Sequence, residues 1–168
     1  MRKNILNFFL LVILMLILLV PLSACEKEED FQNMFALPID AEDLYVFEGH
    51  PDISDSQNGV FISTNKFENT SELFGKPIVS ADDGIVVSVV TDYKAGQGYG
   101  KYLVISHDDG WETLYGHCSK INVEEGDEVR KGDVIAEVGG TGRTSHIGCY
   151  FEIRKDSLPV ETSKFIDD

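Results

Sequence analysis

Hydrophobic and polar positions change rhythm twice along this chain. Residues 8–20 form an unbroken run of 13 apolar side chains. Beyond Cys25 the run gives way to Glu26-Lys27-Glu28-Glu29-Asp30, then to an irregular stretch with Pro38 that reaches about residue 44. From Tyr45 onward, β-branched and aromatic residues recur in short bursts, and no long segment repeats with helical spacing. Residues 85–90 are nearly all apolar, which predicts a strand buried on both faces. Residues 102–107 and 111–117 flank Asp108-Asp109-Gly110 and predict a tight hairpin. A further strand is expected at 134–138, after turns at Gly126-Asp127 and Lys131-Gly132-Asp133, and 148–154 closes the set. The helical signal is limited to a turn near 69–74. Short strands at even spacing with glycine-rich turns predict an all-β fold, an antiparallel barrel-like or sandwich sheet.

The first 24 residues have the character of an export signal. Arg2 and Lys3 precede the apolar run, and Leu22-Ser23-Ala24-Cys25 follows it. Thirteen residues fall short of the roughly 20 that span a bilayer. Leu-Ser-Ala-Cys is similar to a bacterial lipobox, so Cys25 is expected to be acylated and to anchor the chain on the extracytoplasmic face of the membrane. The expected organisation is a signal peptide at 1–24, an acidic tether at 25–44 and a single domain at 45–168. About 125 residues suffice for one core and not two.

Charge narrows the partners. Loss of the leader removes Arg2 and Lys3 and no acid, leaving 12 Lys+Arg against 29 Asp+Glu, a net of −17. Such a surface repels nucleic acid and anionic headgroups. The two remaining cysteines, Cys118 and Cys149, sit in a compartment that permits disulfides. Each lies beside a residue expected to face a groove, so strand alternation turns both cysteines to the opposite face. A Cys118–Cys149 bridge and a pair of buried free thiols both remain open.

Several ordered segments point to one family. Gly75-Lys76-Pro77-Ile78-Val79-Ser80-Ala81-Asp82-Asp83-Gly84-Ile85-Val86 opens the series, and Thr113-Leu114-Tyr115-Gly116-His117-Cys118 follows. Gly126-Asp127-Glu128-Val129-Arg130-Lys131-Gly132-Asp133 comes next, and Phe151-Glu152-Ile153-Arg154 ends it. Over residues 57–166 the chain resembles the LytM/lysostaphin-type zinc endopeptidase domain of bacterial cell-wall hydrolases, a β core built as a duplicated hybrid motif. The resemblance implies a zinc held by His-x-Gly-x-Asp and by the second histidine of His-x-His, with Tyr-x-His completing the site. Three protein ligands and one open position are what a catalytic zinc needs to acidify water.

This chain departs from that pattern where the metal would sit. Gln57-Asn58-Gly59-Val60-Phe61 aligns with the first motif, and Gly148-Cys149-Tyr150 with the His-x-His. Only His117 remains of the family's catalytic positions. A phenylalanine ring offers no lone pair, and glutamine and tyrosine oxygens are poor zinc donors. The expectation is therefore no metal and no cofactor, with Gln57, Phe61, His117 and Tyr150 lining a binding groove. His146, or His50-Pro51 with Asp52 and Asp55, offers replacement ligands, but a surface or turn histidine is the ordinary reading of each. His107 is expected to be exposed at its turn.

Function follows as an expectation: a lipid-anchored, catalytically inactive LytM-type domain that binds a peptidoglycan stem peptide or an envelope protein. The alternative is an active zinc endopeptidase with a non-standard ligand set, and a third reading is a purely structural lipoprotein. Residues 123–136 also resemble the turns of biotinyl and lipoyl carrier domains. The corresponding tip, Gly139-Gly140-Thr141-Gly142-Arg143, has no lysine to modify.

Overall fold

The structure is a computed structural model that describes residues 34–41, 44–54, 58–64 and 72–166. The apolar leader, Cys25, most of the acidic stretch, Asp55 and Gln57 lie outside the described residues. The architecture is all-β. A large antiparallel sheet holds β1 (Leu44–Glu48), β2 (Val60–Thr64), β10 (Cys149–Lys155), β6 (Trp111–Cys118), β5 (Lys101–Ser106), β4 (Gly84–Val90) and β8 (Glu128–Val129) in that spatial order, and β11 (Leu158–Pro159) pairs with β10. A second sheet orders β3 (Pro77–Val79), β9 (Val134–Glu137) and β7 (Lys120–Ile121).

Alternation sorts the side chains of the large sheet onto two faces. One face builds the main core with Ile62, Val86, Leu103, Ile105, Tyr115, Phe151 and Ile153. The other carries a smaller cluster of Phe61, Val104, Leu114 and Tyr150, with Phe47, Tyr99 and Tyr102 packed against it. The register fixes this second face, because Tyr150 lies opposite both Phe61 and Gly116. Cys118 and Cys149 belong to the main core, on the face away from Phe61 and Tyr150, as alternation requires. Both are buried free thiols, so the structure holds no bridge between them. Each Sγ turns instead to a main-chain carbonyl, that of Tyr115 at 3.6 Å for Cys118 and that of Tyr150 at 3.5 Å for Cys149.

The predicted strands appear with ends shifted by a residue or so, and the 108–110 turn becomes a short 3₁₀ turn in which Asp109 and Gly110 have positive φ. Three expectations need correction. Residues 85–90 are not buried on both faces, since Ile85 and Val87 are each 48% exposed. Only the two-residue β8 lies beyond β4, so β4 is close to an edge and one of its faces meets solvent. Residues 34–41 are not tether. Phe35 and Ile39 are buried in the main core, Phe35 bridges to Ile166, and Val79 N–H donates to Pro38 O at 2.8 Å. His107 is half-buried rather than exposed, with Nδ1–H donating to Asp83 O at 2.6 Å and Nε2 lying 2.8 Å from Thr113 Oγ1.

Candidate functional site

His117, next to last in β6, has a backbone conformation that side-chain-bearing residues seldom adopt, with φ of 63°. Its surroundings hold it there. Its N–H donates to Tyr99 O at 2.7 Å, and its ring Nδ1–H donates to Thr141 O at 2.6 Å. The two loops that supply those carbonyls press backbone on backbone. A Cβ on Gly142 would lie 2.2 Å from Gly100 N, and both glycines have positive φ. Glycine is therefore required at this crossing for space and for conformation.

The partner of the other ring nitrogen is a residue from a distant turn. His50 Nε2 lies 2.7 Å from His117 Nε2, and the two rings meet edge-on with centroids 4.8 Å apart. The protons on this pair follow from their outer contacts. A carbonyl can only accept, so His117 carries its proton on Nδ1, and its Nε2 is a bare acceptor. Asp52 N–H donates to His50 Nδ1 at 3.0 Å, so His50 carries its proton on Nε2 and donates it to His117. The same turn is clamped across to the β9–β10 loop, where Asp52 accepts from Ser145 N–H at 2.8 Å and from Ser145 Oγ.

Both imidazoles are neutral in the folded protein. Burial pushes His50 down to about 4, with His117 beside it adding to the shift. Burial likewise pulls His117 down to about 4, against the opposing pull of the Thr141 carbonyl. His50 is 7% exposed and His117 is wholly buried.

Aromatic rings close the remaining sides. His50 packs against Phe61 and Tyr150 at centroid distances of 5.3 and 5.6 Å, and Tyr150 stacks on Tyr99 at 5.0 Å with an interplanar angle of 11°. The Tyr150 hydroxyl donates to Glu152, which also accepts from Arg154 Nε, each at 2.7 Å. The rings leave no room at the neighbouring positions. A Cβ on Gly148 would lie 2.6 Å from Phe61 Cζ, and one on Gly59 would lie 2.4 Å from the Tyr150 ring.

An all-β core that positions a Tyr-Gly-His strand end beside Gly59, Phe61 and Gly148 is a recognisable frame, and residues 58–162 match the profile of peptidase family M23. The chain belongs to peptidase family M23. It is similar to the lipoprotein NlpD/LppB homolog of Pseudomonas aeruginosa, at 34% identity over 62% of this chain and 34% of that protein. It is also similar to the peptidoglycan DD-endopeptidase ShyB of Vibrio cholerae, at 38% identity over 54% of this chain and 20% of the relative. The match thus spans 20–34% of the length of these relatives. Among solved structures, a zinc-containing peptidase from Vibrio cholerae superposes with a TM-score of 0.59 at 28% identity, covering 82% of this chain and 40% of the other.

Among the described residues the donors at the family's metal positions do not fit the M23 zinc. Phe61 and Gly148 bring no donor, and the Tyr150 hydroxyl is committed to Glu152. His117 Nε2 is the one family nitrogen left, and His50 Nε2–H already occupies its lone pair. His50 cannot replace a ligand as it stands, because the Asp52 N–H on Nδ1 keeps the proton on Nε2, where a metal would need a lone pair. Among the described residues no group of three or more His, Cys, Asp or Glu side chains could hold a metal ion.

The structure places Phe61 and Tyr150 within ring contact of His117, at centroid distances of 6.1 and 6.4 Å, while Gln57 lies outside the described residues. It corrects their role as groove surface, since all three are fully buried. The His50 turn and the aromatic packing cover them. An open cleft of about 320 Å³ continues along the same sheet face, lined by Val87, Tyr99, Tyr102, Glu112, Leu114 and Arg154 among others. His50 is the residue whose role the sequence did not disclose. It precedes Gln57 by seven positions in a Gly-His-Pro turn and meets a partner 67 residues away.

Proposed function

We propose that this M23 domain has given up peptide-bond hydrolysis and acts by binding at the cell envelope, where it takes a peptidoglycan stem peptide or an envelope protein on its sheet face. The observation that carries the reading is the His50–His117 hydrogen bond. In an M23 hydrolase the histidine lone pairs serve a metal and an activated water. Here the surviving histidine donates one proton to a backbone carbonyl, accepts another from His50, and is shut away from solvent. Neither ring nitrogen of His117 is left with a lone pair open to a metal or to water. The cleft beside it keeps the ingredients of recognition, with Tyr99, Tyr102, the Glu112 carboxylate and the Arg154 guanidinium along one sheet face.

The lipoprotein name of the Pseudomonas relative supports an envelope location, and Cys25 at the end of an apolar leader supports a lipid anchor. The endopeptidase name of the Vibrio relative marks the outcome that would count against the reading. The test is to incubate the purified chain, prepared without chelator, with peptidoglycan sacculi and to measure metal content, sedimentation and release of soluble fragments. The expected result is zinc far below one per chain, no fragment release, and binding to sacculi or to a basic envelope protein that Tyr102→Ala with Arg154→Ala weakens about tenfold. Stoichiometric zinc together with fragment release would restore the hydrolase, and a chain that captures neither sacculi nor an envelope protein would refute the binding role.

A further inference from the structure

The outer edge of the large sheet is a surface whose lining does not include the histidine pair. β1 is the first strand of the large sheet, and among the described residues it pairs only with β2. The β1–β2 register continues by one residue to Gly49 and Gly59, where Gly49 N–H donates to Gly59 O at 2.8 Å. Hydrogen-bonded and non-bonded pairs alternate along an antiparallel ladder. Phe47 and Tyr45 are thus the residues bonded to β2, and Leu44, Val46 and Glu48 turn their N–H and C=O groups outward. Those same three residues border a trough of about 560 Å³, whose other lining includes Leu37, Ile39 and Ile166.

Natural sheets guard such an edge with lysine, proline or a bulge. β1 reads Leu-Tyr-Val-Phe-Glu, has none of these, and pairs with β2 without a register shift. The trough beside it has an apolar floor, and its charged lining residues are Asp40 and Glu48, both acidic. The whole chain is acidic as well, at −15.

We propose that the outer edge of β1 is a strand-addition site for an extended segment of a partner protein. That segment spans the length of β1, is apolar at alternate positions, and carries lysine or arginine. Its main chain pairs with Leu44, Val46 and Glu48, its apolar side chains enter the trough, and its cations meet Asp40 and Glu48. A second copy of this chain fits the edge less well, because it would bring another strongly acidic surface against the first.

The probe is a capped heptapeptide of alternating valine and threonine with a lysine at each end, titrated against the full chain by calorimetry. A version N-methylated at alternate residues keeps every side chain and loses the pairing N–H groups. Val46→Pro removes an outward donor without touching the β1–β2 ladder, which an edge strand tolerates, and Val46→Ala trims the side chain alone. The expected result is saturable binding that N-methylation and Val46→Pro each weaken at least about tenfold, while Val46→Ala stays within about threefold and all variants keep their melting transition. No saturable binding to the wild type, or equal binding of the N-methylated peptide, would overturn the proposal. Self-association that Val46→Pro abolishes would assign the edge to a second copy and overturn the hetero-partner reading.

Discussion

An imidazole that donates from one nitrogen and accepts at the other has no position for a second proton. His50 and His117 are both in that state, and each is held down to about 4, by burial first and, for His50, by the neighbouring ring. In the unfolded chain both return to about 6.5, so between pH 4 and 6.5 the unfolded state binds more protons than the folded one. The pair's stabilising contribution is therefore complete above pH 6.5, declines as pH falls through that window, and is gone below about 4. With both groups titrating, stability measured by urea unfolding is expected to fall by on the order of 1–2 kcal/mol per pH unit across it. His50→Gln retains a donor for His117 and an acceptor for Asp52 while removing one titrating group. Its slope is expected to be roughly half, and an unchanged slope would place the pH dependence elsewhere. The cysteines give a second check at this scale. Burial raises Cys118 to about 12 and Cys149 well above its ordinary value, so neither presents a reactive thiolate. Without reductant, an alkylating reagent is expected to label neither thiol in the folded chain and both in denaturant. Protection that persists in denaturant would establish a disulfide.

Elements were legible where one physical signal dominated. β5, β6 and β10 are short runs of aromatic and β-branched residues set off by glycine-containing turns, and their placement could be read from the chain. The apolar run of β4 misled because burial of a strand depends on what lies beside it in the sheet, and the two-residue neighbour is not visible in the run itself. The loss of zinc donors at Phe61, Gly148 and Tyr150 was also legible, because it is a matter of residue chemistry. The sealing of the site was not, since it rests on His50, and a turn histidine carries no mark of the ring it will meet across 67 residues. The segment entering β10 shows how far the packing has adapted. Gly148 stands where the family has a histidine, and a Cβ there would lie 2.6 Å both from Phe61 Cζ and from Ile62 O. Gly148→Ala is expected to destabilise the domain by about 1–3 kcal/mol, the usual cost of overpacking. Phe61→Leu in the same chain is expected to recover only part of that loss, because the Ile62 carbonyl remains. Full recovery would show that the ring alone excludes a side chain, and no loss would show that the loop yields freely.

For the molecule as a whole, the folded domain begins upstream of β1. Phe35 packs against His107 and Trp111 at centroid distances of 5.4 and 5.9 Å, and its N–H donates to Phe165 O at 3.0 Å. Ala36 N–H and Pro38 O add main-chain bonds to Ala81 and Val79. With Cys25 as the proposed anchor, residues 26–34 separate the lipid from Phe35, a reach of at most about 36 Å at 3.6 Å per residue. Anchored in that way, the mature chain at −17 would be repelled by anionic headgroups and held by its lipid at once. The boundary is testable without the membrane. A chain that begins at residue 31 keeps Phe35 and Ile39, and one that begins at Tyr45 lacks both, leaving the core open beside Trp111 and Ile166. Loss of a buried phenylalanine alone costs about 3–5 kcal/mol, so the shorter chain is expected to melt roughly 10 °C or more below the longer one. It is also expected to expose apolar surface to a hydrophobic dye. Equal melting temperatures would return residues 34–41 to the tether and lengthen the reach of the domain accordingly.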